Sequence, residues 1–475
     1  MSQLPDYVAS AIPNPPENRA PWLTTTAATY AGIMLWFVFW SGVPGGGISA
    51  PGGVLSQGLL FALGALVIAA FICYFGFYHV PGMLGMKTGL PLYIVGTSTY
   101  GVQGGFIMPG FLMGCLQFGW LSVNGYFAGL GFALIAGQPI GGAMHLGIGV
   151  VWAVAAAFIG LKGIKYVGMV ASYMPIIPVV TLLYLLVCTM GGVFKFDPSA
   201  AVSAVEGGKA VGLYGDGTLG SLSGQLGVLS LICAYVVGFF ATAGAAGCDM
   251  GSNNKDRTAV ILAGLVGIAG ATIFTGAIAL IAIAGAQGSG TLTGTDMNPY
   301  ESIKILMGSS VGGMFALLLA IAAFPAACFS TLIAANSFKT TLPKVNPFIS
   351  CGIGTAVACL LIVSGFAGQA GDVFTLIGAS FGPVCGAMMA DYLLADKKWA
   401  GPREGFNPAG WISWGVGFFV GGITLLVEGF FGGTMPIVIP CPPVSAFIVG
   451  FALYWILARA GFESKKLDMP QRIDV

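Results

Sequence analysis

Uncharged apolar stretches long enough to cross a lipid bilayer recur along this chain from end to end. About 20 such residues span the hydrocarbon core. Sliding that window along the sequence places spans at roughly 24–44, 54–77, 105–134, 140–160, 166–191, 225–247, 258–286, 310–338, 347–366, 372–394, 408–431 and 436–460. About twelve spans leave little chain for a soluble domain. Only 7% of the 475 residues are charged, whereas water-facing surfaces call for about 25%, so a soluble enzyme is excluded. The formal net charge of +1 offers no basic face for phosphates and argues against nucleic acid as a partner. The cysteines lie mostly in apolar stretches (Cys73, Cys188, Cys233, Cys359) with no CxxC pair, and read as small apolar fillers rather than disulfides or metal ligands.

Loop charges set the orientation, because Lys and Arg concentrate on the cytoplasmic side. Met1 to Ala20 carry Asp6, Glu17, Arg19 and several prolines, with no basic segment leading into a short apolar core, and read as a soluble tail rather than a signal peptide. With that tail inside, fifteen cations fall on the cytoplasmic side and three (Lys195, Lys209, Lys304) outside. Both termini are therefore expected in the cytoplasm. The organisation that follows is a tail over 1–23, spans one to five over 24–191, an external loop over 192–224, spans six to ten over 225–394, a cytoplasmic loop over 395–407, spans eleven and twelve over 408–460, and a cytoplasmic tail over 461–475. A second external loop, 287–309, contains Pro299 to Ile305, which is expected to form a short helix.

Two spans carry glycine and small residues where a smooth membrane helix would carry leucine. Span one contains Gly32 and Gly42 and runs straight into Gly45 to Gly47, and span six contains Gly238, Gly244 and Gly247. They stand five spans apart. Interrupted segments at matching positions of two halves point to a transporter built from inverted repeats, with its site where the helices unwind. The alternative is close helix packing through small residues, which the chain's 76 glycines also allow.

Span three supplies Gln117, Trp120 and Asn124, spaced three and four apart and so on one helical face. An indole between two amides suits a flat heterocycle: stacking an aromatic on a base is worth about 1–3 kcal/mol, and amides pair with base edges. An interhelical polar clamp is the other reading. Span eight supplies Ser330, Thr331 and Asn336. Its hydroxyls can simply bond back along their own helix, but an amide in hydrocarbon calls for a partner.

Four stretches taken together, Gln117-Phe118-Gly119-Trp120, Gly238-Phe239-Phe240-Ala241-Thr242, Ser330 to Asn336 and Gly382 to Tyr392, with Lys87-Thr88-Gly89-Leu90 after span two, resemble the nucleobase:cation symporter-one family of cytosine permeases and hydantoin transporters. The resemblance runs in order from about residue 25 to 460. It implies an all-α integral membrane protein with a leucine-transporter-like fold: two five-helix inverted repeats, spans one and six broken, and two extra helices. It also implies that Trp120 is the stacking tryptophan and Phe240 the aromatic facing it. Gln117 matches the glutamine that cytosine permeases use on the base, Asn124 stands where hydantoin transporters have a glutamine, and Asn336 matches their span-eight asparagine. A sodium site would take carbonyls of Gly32, Leu35 and Ala327 with the hydroxyls of Ser330 and Thr331.

The sequence also departs from the family. Phe239 and Ala327 stand where cytosine permeases have a serine and an asparagine, so the pocket, which counts Phe239 among its substrate-lining residues, is expected to be more apolar and cytosine itself is in doubt. Among the acids, Asp249 is expected to pair with Lys255 or Arg257, Asp391 to lie near Lys397 and Lys398 as gate or structure, and Glu428 to be interfacial; His79 and His145 are assigned no chemistry. No Ser-His-Asp set, P-loop or HExxH motif appears, so neither hydrolysis nor ATP drive is supported. The expected function is a sodium-coupled symporter of a nucleobase or similar planar heterocycle in the inner membrane. Its partners would be the bilayer and a small-molecule substrate, with no organic cofactor. Proton-coupled carriage of another small polar solute is the alternative, and a membrane receptor or membrane enzyme a more distant one.

Overall fold

The computed structural model describes residues 4–22, 53–162, 176–203, 210–213, 215, 217–292, 299–342, 344–430, 432 and 437–469. Span one, with Gly32, Leu35 and its glycine run, and residues 166–175 of span five lie outside the described residues. Within them the other expected spans are helical. Ten helices are long and apolar enough to cross a membrane: Leu59–Thr88, Phe106–Ile135, Ala143–Lys162, Ile176–Val193, Leu222–Ala245, Arg257–Gly288, Ser309–Lys339, Ala370–Leu394, Pro408–Gly429 and Pro442–Arg459. The shorter Pro347–Val363 is span nine. The expected short helix is present as Pro299–Met307, and no strand occurs among the described residues beyond two isolated bridges.

Polar residues at the ends decide where the spans start. The first amides of a helix have no partner within it, and a short polar side chain just before them can accept from one. Ser221 accepts from the Gly224 amide at 3.0 Å, Asp256 from Ala259 at 2.8 Å and Asn346 from Phe348 at 2.9 Å. Span eight is two helices, Ser309–Ala322 and Phe324–Thr341, joined at Ala323. Pro325, which cannot donate the ladder bond that would run across the join, explains the interruption.

The core falls into two clusters. Spans three, four, eight and nine form one around Phe118, Ala153, Cys328, Phe338 and Ile362. The larger gathers spans two, five, six, seven and ten, with Tyr78, Leu182, Phe240, Leu280 and Phe374 among its buried members. Span ten is the most enclosed, 83% of its apolar window being buried. Its glycines let span twelve approach closely: a Cβ on Gly386 would lie 2.2 Å from the Phe447 carbonyl oxygen.

The loops assigned to one side by charge do lie together. The Asn14 amide donates to the Gly89 carbonyl at 2.8 Å, the Asn14 side chain to the Ser252 carbonyl at 2.9 Å and the Leu467 amide to the Pro402 carbonyl at 2.8 Å. Both tails therefore share a face with the loops after spans two, six and ten. The amino-terminal tail is docked rather than loose: Val8 is buried, the Tyr7 hydroxyl donates to the Val102 carbonyl, and Arg19 Nη1 donates to the Met86 carbonyl at 2.6 Å. Away from that face, Gln57 joins the start of span two to the loop before span six, donating to the Gly217 carbonyl at 2.8 Å and accepting from the Gly220 amide at 2.9 Å.

Candidate functional site

Trp120 marks where the two clusters meet. It sits on span three and turns its indole toward spans six and ten. Nε1 donates to Thr242 Oγ1 at 3.1 Å. The Phe239 ring stands edge-on to the indole at 4.8 Å and 74°, and the Phe374 ring of span ten lies 4.8 Å away, tilted by 32°. Phe374 in turn meets Tyr235 edge-on at 5.9 Å. Three helices thus build an aromatic box with one hydroxyl in its wall.

Span six departs from expectation in where it breaks. Its helix runs unbroken from Leu222 to Ala245, and the interruption comes at Ala246, before the short helix Gly247–Gly251. Gly238 and Gly244 lie in regular helix, where close packing accounts for them: a Cβ would fall 2.4 Å from the Phe374 carbonyl oxygen at Gly238 and 2.6 Å from Phe77 Cβ at Gly244. An intact helix turns about 100° per residue, so only one of two adjacent phenylalanines can face Trp120. That residue is Phe239. Phe240, expected opposite the indole, is 1% exposed and packs behind it at 5.1 Å.

The amides of span three are divided. Gln117 is buried with Nε2 3.5 Å from Met113 Sδ, and Asn124 Oδ1 is buried with no hydrogen-bond partner. Asn336 is exposed near the Lys339 end of span eight. Gly114 meets Phe338 and Gly131 meets Ala320, so spans three and eight run antiparallel in fixed register. That register places Trp120 at the depth of Thr331 and Asn336 near Cys115, beyond Gln117.

Of the expected ion ligands, Ala327 and Thr331 are fully buried and Ser330 nearly so. Ser330 bonds back to the Ala326 carbonyl at 3.3 Å, whereas Thr331 Oγ1 is a buried oxygen without a hydrogen-bond partner. Its Cβ faces span four, where a Cβ on Gly160 would lie 2.9 Å from it. A buried hydroxyl oxygen without a hydrogen-bond partner has a free lone pair of the kind that hard cations take.

The remaining ionisable groups settle into structural roles. Asp249 accepts from the Leu92 amide at 3.1 Å, while Lys255 lies 3.9 Å from Asp256, so the expected Asp249 pairing is not the one formed. Asp391 is 3% exposed and faces Arg403 rather than the neighbouring lysines. Oδ1 accepts from Arg403 Nη2 at 3.3 Å and the Tyr454 hydroxyl at 3.1 Å, and Oδ2 from Ser98 at 2.6 Å and Thr99 at 3.2 Å. Arg403 also donates to Glu463. Burial opposes its charge, but Asp391, Tyr454 and Glu463 together raise its pKa above the usual value. Glu428 is exposed at the end of span eleven. His145 accepts from the Gly141 amide at 2.9 Å and its Nε2 lies 3.0 Å from the Tyr126 carbonyl; His79 Nδ1 lies 3.3 Å from the Tyr74 hydroxyl. No group of three potential metal-ligating side chains forms among the described residues.

Sequence reasoning did not find Phe374 or the role of Thr242. Thr242 ends the stretch Gly238 to Thr242 that carries the family resemblance, but Phe374 lies in Asp372-Val373-Phe374, where nothing in the spacing sets it apart.

No family model matches the chain. Two cytosine permeases of Escherichia coli, from strain K12 and from O157:H7, are each 25% identical over 367 residues, covering 73% of this chain and 74% of theirs. Among solved structures, Mhp1, a nucleobase-cation-symport-1 family transporter, aligns in its closed form with bromovinylhydantoin bound at a TM-score of 0.61 and 16% identity, over 95% of each chain. Its inward-facing form aligns at 0.66 and 16% identity, over 97% of this chain and 94% of that one. The resemblance to the nucleobase:cation symporter-one family holds. A sodium-coupled sialic acid symporter, at a TM-score of 0.58 and 13% identity over 97% of this chain and 93% of its own, shares the same all-α architecture, which is the leucine-transporter fold expected from the sequence. This is a multi-pass membrane protein of transporter fold, and its relatives are permeases and symporters rather than enzymes.

Proposed function

We propose that this protein is a secondary symporter that carries a nucleobase or a related planar heterocycle across the cytoplasmic membrane by alternating access, with sodium as the coupling ion and both termini in the cytoplasm. The aromatic box carries the reading: Trp120, Phe239 and Phe374 meet where three spans converge. A flat ring displacing Phe374 from the indole face would stack on Trp120, with Thr242, Asn124 and Gln117 offering polar atoms to its edge. The relatives named as cytosine permeases and the hydantoin-bound Mhp1 handle cargo of this class.

Sodium would take Thr331 Oγ1, Ser330 Oγ and the Ala327 carbonyl, with Gly32 and Leu35 as the remaining expected ligands. Each positive charge moving inward gains about 2.3 kcal/mol per 100 mV of membrane potential, and this gain drives accumulation of a neutral substrate. None of these five expected ligands is a carboxylate, and an ion held by neutral oxygens can be released in each cycle.

Uptake of labelled cytosine, adenine, uracil and hydantoin into proteoliposomes tests the proposal. One of these accumulates under an inward sodium gradient, and Trp120→Ala reduces the uptake at least tenfold. Binding unchanged by Trp120→Ala overturns the site, and accumulation that follows pH and ignores sodium replaces the sodium with a proton.

A further inference from the structure

The rim that carries the two tails holds a cluster of cations that the transport site does not use. Lys87 ends span two, Arg257 begins span seven, and Lys397 and Lys398 form the tip of the turn after span ten. Gly82 sits against Val260, a Cβ there lying 3.0 Å from its Cγ1, so the ends of spans two and seven emerge side by side. Lys87 Nζ donates to the Lys397 carbonyl at 2.6 Å. The charges of Lys398, Arg257 and Lys397 all act on Lys87.

None of the four forms an ion pair among the described residues. The nearby acids do not neutralise them: Asp256 caps span seven and lies near Lys255, Asp249 accepts from Leu92, and Asp396 is exposed beside Lys397 without an ion pair. Like charges brought together at a rim repel one another. The turn nevertheless keeps them there, at the further cost of two successive non-glycine residues with positive φ, Asp396 at 54° and Lys397 at 61°. An apolar floor lies beneath: the Tyr392 ring sits 5.7 Å from Lys87 Nζ and Leu393 is exposed next to it. Farther along span two, Ile68, Phe71 and Phe75 are exposed in the apolar zone.

A ligand that satisfies four unneutralised cations above an apolar floor has an anionic head and a hydrocarbon body. We propose that this rim is a docking site for an anionic phospholipid of the adjacent leaflet, its phosphate held by Lys87, Arg257, Lys397 and Lys398. The headgroup ties the ends of spans two and seven to the turn after span ten, whose backbone is held there by the hydrogen bond from Lys87. The assignment does not depend on which cargo the protein carries.

Purified full-length protein in neutral detergent tests this by thermal unfolding and native mass spectrometry with added phosphatidylglycerol, phosphatidylcholine or inorganic phosphate. Phosphatidylglycerol raises the unfolding midpoint and stays bound, and the other two do neither. The triple substitution of Arg257, Lys397 and Lys398 to Gln weakens phosphatidylglycerol binding about a hundredfold, taking about 1 kcal/mol per cation at an anionic surface. Lys465→Gln with Lys466→Gln, which removes two rim cations outside the cluster, leaves binding unchanged. If the triple variant does not fold, Lys398→Gln alone, at an exposed position, still weakens binding several-fold. Equal retention of phosphatidylglycerol by the parent and these variants overturns the site. Equal stabilisation by inorganic phosphate overturns the lipid as its occupant.

Discussion

Trp120 is oriented by one hydrogen bond and two rings, and each of these contacts belongs to a different helix from its own. The contribution of Phe239 therefore separates from that of Phe240 although they are neighbours in sequence. Phe240→Ala opens a cavity in the core, and removal of a buried phenylalanine costs about 3–5 kcal/mol; the expected outcome is a large fall in the thermal midpoint of the purified protein. Phe239→Ala leaves that midpoint within a few degrees and weakens substrate binding instead, checked by ligand-induced thermal shift. Equal behaviour of the two variants would contradict the placement. The stripe Gln117, Trp120 and Asn124 was legible in sequence because i, i+3 and i+4 spacing fixes a helical face. Choosing between Phe239 and Phe240 required the rotational phase of a second helix against the first, which no local pattern carries.

At the scale of elements, glycine sets how closely spans approach. A Cβ on Gly85 would lie 1.9 Å from the Cys248 carbonyl oxygen, whereas one on Gly64 meets nothing within 4 Å. Gly85→Ala is expected to destabilise the protein by about 1–3 kcal/mol, as overpacking does, while Gly64→Ala is neutral or mildly stabilising; unfolding of the two variants in detergent makes the comparison. The ion cluster at the inner end of span ten offers a second test. Arg403→Ala leaves Asp391 and Glu463 without their cation, and losing one partner of a buried pair costs about 3–5 kcal/mol. The predicted outcome is loss of folded protein on size-exclusion chromatography, with partial recovery when Asp391→Asn removes the stranded charge. The spans themselves were readable from apolar length, whereas the capping side chains at their starts, Ser221, Asp256 and Asn346, came only with the structure. The break in span six was placed too early because a glycine that unwinds a helix and one that lets a neighbour approach look the same in sequence.

Over the whole molecule, the distribution of charge and the contacts among loops agree on which segments share a side. Orientation itself is open to direct measurement: in intact cells a membrane-impermeant maleimide is expected to modify Lys195→Cys above the parent background and to leave Lys465→Cys unmodified, with the reverse labelling implying an inverted topology. The sequence by itself determined that this chain lives in a bilayer, how many times it crosses within the described residues, which loops lie together and which helical face of span three carries the amides and the indole. Those properties follow from short-range periodicity and from the cost of placing charge in hydrocarbon, both of which are local. Tertiary structure alone decided that Phe374 closes the box, that Phe239 faces Trp120, that Asp391 pairs with Arg403 rather than with the lysines nearest it in sequence, and that the amino-terminal tail is docked. Each of those depends on which distant helix arrives at a given depth and angle, and packing of the whole bundle fixes that geometry.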